Sequence, residues 1–193
     1  MADQLAVTPQ QAVNQVFNLY KTRGGDDYIG EPVSQLEHMW QAAALAEAAG
    51  ADEEVVLAAF FHDLGHLCAP DLAADSMAGF GAVNHERLGA DYLRARGFSE
   101  RVARLVESHV LAKRYLTYKY PSYLRQLSEA SLATLAFQGG VMSAAEAAAF
   151  EQDPDADLIL QLRRWDEQAK ETDQPVGRLD HLKALALRHL QRA

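Results

Sequence analysis

The chain has one cysteine, Cys68, in 193 residues. No intrachain disulfide is therefore possible, and a reducing compartment is expected. No apolar run approaches the roughly 18 residues of a membrane span. The opening residues, MADQLAVTPQ, lack the basic segment and apolar stretch of a signal peptide. Together these point to a cytoplasmic protein with no membrane partner. Basic residues are also short: 18 Lys and Arg stand against 27 Asp and Glu, a formal charge of −9. An acidic surface repels phosphate backbones, which argues against a nucleic-acid partner. It does not exclude a small anion, because a few cations converging in a pocket outweigh screened distant charge. Strand patterns, internal repeats, low-complexity tracts and linkers are all missing. With 49% apolar residues, residues 1–193 can build a core and read as one all-α domain.

What is present is a series of helices. Thr8-Pro9 forms an N-cap with proline at the first helical position, and Gly24-Gly25 ends that helix. A second helix is predicted from about Pro32 to Gly50, with Val33, Leu36, Trp40 and Ala43 on one face. Asp52 caps a third, whose run Val55 to Phe61 is apolar on every side and so reads as the central buried helix. A loop from about Cys68 to Val83 follows. Asn84 is predicted to cap a helix ending at Gly97, and Ser99 one reaching past His109. A Tyr-rich stretch from Tyr115 to Tyr123 is broken by Pro121. Further helices are predicted over about 128–138, from the capping box Ser143/Glu146, over about 154–171, and from about 179.

The chemistry concentrates in Phe61-His62-Asp63-Leu64-Gly65-His66. An adjacent His-Asp pair follows seven apolar residues, and an unpaired carboxylate buried there would cost several kcal/mol. A metal removes the difficulty, since imidazole and carboxylate are natural ligands for Fe, Mn or Zn. His62, Asp63 and His66 are predicted to close the third helix, so that His62 and Asp63 share one edge and His66 lies one turn beyond His62. His38, His85, His109 and Asp166 lie on other predicted helices, an arrangement by which α-bundles build di-metal centres. A lone helical histidine is ordinarily packing or surface; the contiguous His-Asp pair tips the balance. His181 and His189, beside Lys183 and Arg188, read as solvated surface, and Cys68 as structural.

The order His38 … His62-Asp63 … Asp166 resembles the HD-domain superfamily of all-α metal-dependent proteins. His85 and His109 resemble the extra ligands of its binuclear branch. Further strings are more specific: Asp27-Tyr28-Ile29-Gly30-Glu31, Leu36-Glu37-His38, His62-Asp63-Leu64-Gly65-His66, His85-Glu86, Ala112-Lys113-Arg114-Tyr115-Leu116 and Trp165-Asp166-Glu167. Over roughly residues 26–175 the chain resembles the mixed-valence di-iron oxygenases that cleave organophosphonates, the PhnZ/TmpB family. The resemblance implies a single HD-domain helical bundle around a dinuclear site. One iron would be held by His38, His62, Asp63 and Asp166, the other by His85, His109 and the bridging Asp63. His66 would touch substrate, and Lys113, Ser131 and Arg163 would grip the phosphonate. Tyr28 would occupy an iron position until substrate displaces it, and Glu31 would meet a cationic nitrogen. Geometry and chemistry agree for two of these. Lys113 is one turn beyond His109 and Arg163 three residues before Asp166, and a phosphonate dianion wants charge-assisted donors.

The resemblance further implies O2-dependent cleavage of the C–P bond of a 1-hydroxy-2-aminoethylphosphonate or its N-trimethylated form, with O2 as co-substrate. The products would be phosphate and glycine or glycine betaine. No nicotinamide or flavin is needed, and no Gly-rich strand–helix turn suggests one. The aromatic residues Phe60, Phe61, Tyr115, Tyr118, Tyr120 and Tyr123 are available for cation–π contact with a trimethylammonium group. The alternatives are a binuclear HD-type phosphohydrolase acting on a small phosphoester, which needs neither Tyr28 nor Glu31 nor O2, and a silent sensor of a phosphorylated ligand.

Overall fold

The computed structural model describes residues 7–28, 30–69, 75–177 and 179–192. Ile29 and Pro70, which fall within segments singled out above, lie outside the described residues. Eleven helices are described: α1 (Pro9–Arg23), α2 (Gln35–Ala48), α3 (Glu53–Phe61), α4 (Leu64–Cys68), α5 (His85–Arg94), α6 (Glu100–Lys119), α7 (Pro121–Leu124), α8 (Glu129–Leu135), α9 (Ala144–Glu151), α10 (Ala156–Gln168) and α11 (Leu179–Arg192). Strand-like pairing among the described residues is limited to two isolated bridges, Asp27 with Ser34 and Ser76 with Ala82.

The caps explain most boundaries. Thr8 and Gln11, and Ser143 and Glu146, form reciprocal capping boxes, and Ser99 Oγ accepts the Val102 N–H at the start of α6. The second helix starts later than the sequence suggests. Ser34 and Glu37 form its capping box, so residues 26–28 and 30–34 precede the helix as a turn, closed by Gln35 N–H donating to Asp26 O at 3.0 Å and Leu36 N–H to Gly24 O at 2.8 Å. Tyr28 and Glu31 lie in that turn and not at a helix start. Asn84 also departs from expectation: it is left-handed (φ 56°) and makes no side-chain cap bond to α5.

As expected, α3 is central: every residue from Val55 to Phe61 is buried. It packs between α2 and α6, while α10 lies across α2 and α6, and α5 is sandwiched by α4 and α6. Phe17, Tyr20, Phe60, Phe61 and Phe98 form a continuous ring cluster at the end of α3.

The third helix does not run through the His-Asp motif. It stops at Phe61, and Asp63 (φ −102°, ψ 11°) starts α4 in a new direction. Carbonyls freed at a helix end need partners. The Tyr20 hydroxyl donates to Phe60 O at 3.0 Å, and the His62 ring Nδ1 bonds Ala59 O at 2.8 Å. The predicted one-turn stacking of His66 over His62 is therefore replaced. His66 stacks on His85, with ring centroids 4.0 Å apart. Close approach of α4 to α5 depends on Gly65, where an added Cβ would lie 1.8 Å from His85 O.

Candidate active site

Three histidines arrive with their proton placement fixed by the backbone. Nδ1 of His38 bonds Ala169 O at 2.9 Å, that of His62 bonds Ala59 O at 2.8 Å, and that of His109 bonds Val106 O at 2.7 Å. A carbonyl can only accept, so each Nδ1 carries the hydrogen and each Nε2 presents a lone pair inward. The inward nitrogens meet in pairs: His38 Nε2 lies 3.0 Å from His62 Nε2, and His85 Nε2 lies 3.1 Å from His109 Nε2. Two facing lone pairs repel unless a cation lies between them.

Asp63 joins the pairs. Its Oδ2 is 3.5 Å from both His38 Nε2 and His62 Nε2, and its Oδ1 is 3.3 Å from His85 Nε2 and 3.4 Å from His109 Nε2. Asp166 Oδ1 completes the first set at 3.4 Å from His38 and 3.9 Å from His62. Metal–ligand bonds of about 2.0–2.2 Å put neighbouring donors roughly 3.0–3.5 Å apart. The seven donor atoms of these six residues are spaced to suit two ions, with one Asp63 oxygen facing each set. All six residues are buried. Burial opposes ionisation of Asp63, but the surrounding His62, His109 and His38 imidazoles hold its carboxyl well below the usual range. Against the same burial, Arg163, His38 and His62 hold Asp166 low.

A small cavity of about 60 Å³ opens on these donors and is lined by Tyr28, Glu31, His66, Lys113, Ser131 and Arg163 among others. Every non-ligand site residue expected from the sequence therefore reaches it. Tyr28 stacks on His38, rings 4.1 Å apart and 12° from parallel. Burial, the Asp63 and Asp166 carboxylates and a hydrogen bond to Asp63 push its phenol well above the usual range. His66 Nδ1 accepts the Ala82 N–H at 3.1 Å. Burial and His85 lower the ring to about 3, so it is neutral. In the neutral ring Nε2 then bears the hydrogen and is a donor. Its nitrogen nonetheless comes within 4.8 Å of Asp63 and His85. Gly81 (φ 100°) turns the 75–83 segment over this ring, where a Cβ would lie 2.4 Å from it.

The two cations are positioned differently. Lys113 Nζ donates to Thr134 Oγ1 and Gln138 Oε1, both at 2.8 Å. Burial and Arg163 lower its ammonium to about 7. Arg163 Nη1 donates to Asp166 Oδ2 at 2.5 Å and its Nε to Tyr123 and Glu167, both at 3.0 Å. It thus supports a proposed ligand as well as facing the cavity. The sequence reading missed Thr134 and Gln138. They lie three and seven residues after Ser131, the spacing of one helical face, which was a usable signal. It also missed Phe80 on the cavity wall and Lys170, which pairs with Glu31 at 2.5 Å.

Two expectations are corrected. The aromatic residues proposed for a trimethylammonium group do not line this cavity. Phe60 and Phe61 are core, Tyr115 packs on Phe150, and Tyr118 and Tyr120 are exposed. Tyr123 lies at an outer cavity. Nor is His189 solvated surface: it is buried, accepts the Ser99 N–H at 3.0 Å and stacks on Phe98. The seat of that ring against the start of α6 is a tertiary contact invisible in the helix pattern. His181, as expected, is exposed, and it pairs with Glu47.

Residues 36–137 match the family model described as HD domain. An uncharacterised protein of Acanthamoeba polyphaga mimivirus is 44% identical over 180 residues, covering 93% of this chain and 82% of its own. A [1-hydroxy-2-(trimethylamino)ethyl]phosphonate dioxygenase (glycine-betaine-forming) of Leisingera caerulea is 39% identical over 83% of this chain and 81% of its own. A hydroxymethylphosphonate dioxygenase of Gimesia maris is 40% identical over 86% of this chain and 82% of its own. With a buried His/Asp cluster able to take metal and similarity extending over most of its length, the chain belongs to the HD-domain family, in the group that includes these phosphonate dioxygenases.

Proposed function

We propose that this chain is an oxygenase that cleaves the C–P bond of a 1-hydroxyalkylphosphonate with O2 and releases phosphate. The observation that carries the reading is the bridging geometry of Asp63 beside a cavity holding both Lys113 and Arg163. The candidate substrates from the sequence are 1-hydroxy-2-aminoethylphosphonate and its N-trimethylated form, giving glycine or glycine betaine. The relatives' names add hydroxymethylphosphonate. All share a hydroxyl on the carbon bonded to phosphorus, which defines the class. One O2 accepts the four electrons released as that carbon becomes a carboxylate and phosphorus leaves as phosphate.

His38, His62, Asp63 and Asp166 would hold one ion, and His85, His109 and Asp63 the other. The ions would be iron in a mixed-valence state and, when bound, would supply Lewis acidity toward substrate oxygens and redox chemistry toward O2. The rest falls to the chain's own side chains. Lys113, Arg163 and Ser131 hold the phosphonate, the first two through charge-assisted bonds. His66, a neutral donor, bonds a substrate oxygen. Tyr28, stacked on His38 and hydrogen-bonded to Asp63, would fill the position that substrate takes beside His38 and move aside on binding. A phosphohydrolase has no use for such a displaceable phenol. Residues 1–193 form one HD domain on this reading, supported by a buried core that draws on residues from Ala12 to Leu190.

The test is metal analysis with electron paramagnetic resonance. Protein from iron-replete cells carries close to two Fe per chain, and partial oxidation yields a coupled mixed-valence signal that changes on adding a hydroxyphosphonate. Asp63→Ala loses both ions. A chain that stays mononuclear, or takes only zinc under those conditions, contradicts the di-iron reading.

A further inference from the structure

Glu31 already has a cation. Its Oε1 accepts from Lys170 Nζ at 2.5 Å and from Ser128 Oγ at 2.7 Å. Lys170 is not a loose surface lysine. The residue before it, Ala169, gives its carbonyl to His38 Nδ1. The residue after it, Glu171, exchanges two bonds with the Gln41 side chain, at 2.9 and 3.1 Å. Lys170 is thus held between two points of attachment to α2, one of them a histidine of the proposed metal site, and its side chain is 20% exposed.

The pair sits at a boundary. The inner cavity is lined by Glu31, Ser131 and Arg163, and so is an outer cavity of about 340 Å³, which adds Ser128, Glu167 and Lys170. Apart from the two aspartates of the metal cluster, Glu31 is the single carboxylate lining the inner cavity among the described residues. A substrate with a positive nitrogen on C2 needs that carboxylate. To take it, the nitrogen must expel Lys170, leaving a displaced ammonium near Arg163 and Lys113, where the other carboxylate of the outer cavity, Glu167, is already bonded by Arg163 and Tyr123. A substrate without a cation leaves the pair intact.

Building on the C–P oxygenase reading, we propose that Lys170 is a specificity-determining residue that occupies the cation site of Glu31 and directs the enzyme to hydroxyalkylphosphonates with small, uncharged substituents. The Lys170–Glu31–Ser128 link then acts as the end wall of the substrate site, and the neutralised carboxylate gives a cationic head group no net attraction.

The experiment compares hydroxymethylphosphonate with 1-hydroxy-2-aminoethylphosphonate on metal-loaded protein. Binding is read by anaerobic calorimetry, and kcat/KM by phosphate release in air. The wild type is expected to favour hydroxymethylphosphonate at least tenfold in both. Lys170→Met narrows that ratio at least tenfold, because Glu31 becomes free to pair with the amine. Lys170→Arg, which keeps the charge, holds the ratio within threefold of wild type. A wild-type preference for the amine, or the same ratio in Lys170→Met as in wild type, overturns the assignment. Absence of O2-dependent phosphate release from either compound removes the oxygenase reading instead, while the binding ratios still decide the role of Lys170.

Discussion

At the scale of single residues, the two cations of the cavity make separable demands. Lys113 leans on neutral partners, Thr134 and Gln138, whereas Arg163 is bonded to Asp166. On the proposed function, removing either costs a charged hydrogen bond to the phosphonate, about 1.5–3 kcal/mol, or roughly 10- to 150-fold in kcat/KM at 1.4 kcal/mol per decade. Lys113→Ala keeps its metal content. Arg163→Ala also loosens Asp166 and loses part of its metal, which elemental analysis reads directly. The Lys113 ammonium, lowered to about 7 by burial and Arg163, is charged below that pH and neutral above it. The kcat/KM profile, which reports the free enzyme, therefore falls as pH rises through about 7, and Lys113→Arg removes that limb. Equal loss of metal in Lys113→Ala and Arg163→Ala makes both residues structural. The Lys113 and Arg163 positions were legible because each shares a helical face with a ligand. Lys170 was not, since α10 ends at Gln168 and the backbone beyond it leaves helical register.

At the scale of elements, the site depends on a break. The His-Asp motif reads in sequence as the end of a continuous helix, because nothing in Phe61-His62-Asp63-Leu64 is a helix breaker. The break follows from tertiary partners, Tyr20 and the His62 ring, which take up the carbonyls at the end of α3. It turns Asp63 so that its two oxygens face different histidine pairs. The caps at Thr8, Asp52, Ser99 and Ser143 were legible because they are local. The start of α2 was not, because Ser34 competes with the more conspicuous Pro32. Gly65 sets the distance between α4 and α5, and its missing Cβ leaves room for His85 O. Gly65→Ala must push backbone against backbone, and overpacking of this kind costs about 1–3 kcal/mol. The melting temperature falls, and of the two proposed metals the one assigned to His85 and His109 is lost first. Unchanged stability and full metal content would mean that α5 yields without displacing His85.

At the scale of the whole molecule, an acidic chain surrounds a cavity whose anion-facing groups are cationic. The net charge of −9 sets the surface, and Lys113 and Arg163 set the site, because buried charges at hydrogen-bond range dominate screened distant ones. No helix among the described residues is long and apolar enough to cross a membrane. The all-α class and the order of the helices were legible from periodicity and punctuation. The enclosure of the cavity was not, because it is made by Tyr28 and Glu31, the 75–83 segment and α8, which meet only in the fold. The central claim is that this enclosure serves oxidation and not hydrolysis. It is tested most directly by following O2 uptake and phosphate release together on hydroxymethylphosphonate and 1-hydroxy-2-aminoethylphosphonate. The account predicts one O2 consumed per phosphate released and no phosphate under argon. Phosphate released without O2, or phosphoester hydrolysis at a comparable rate under argon, would contradict it.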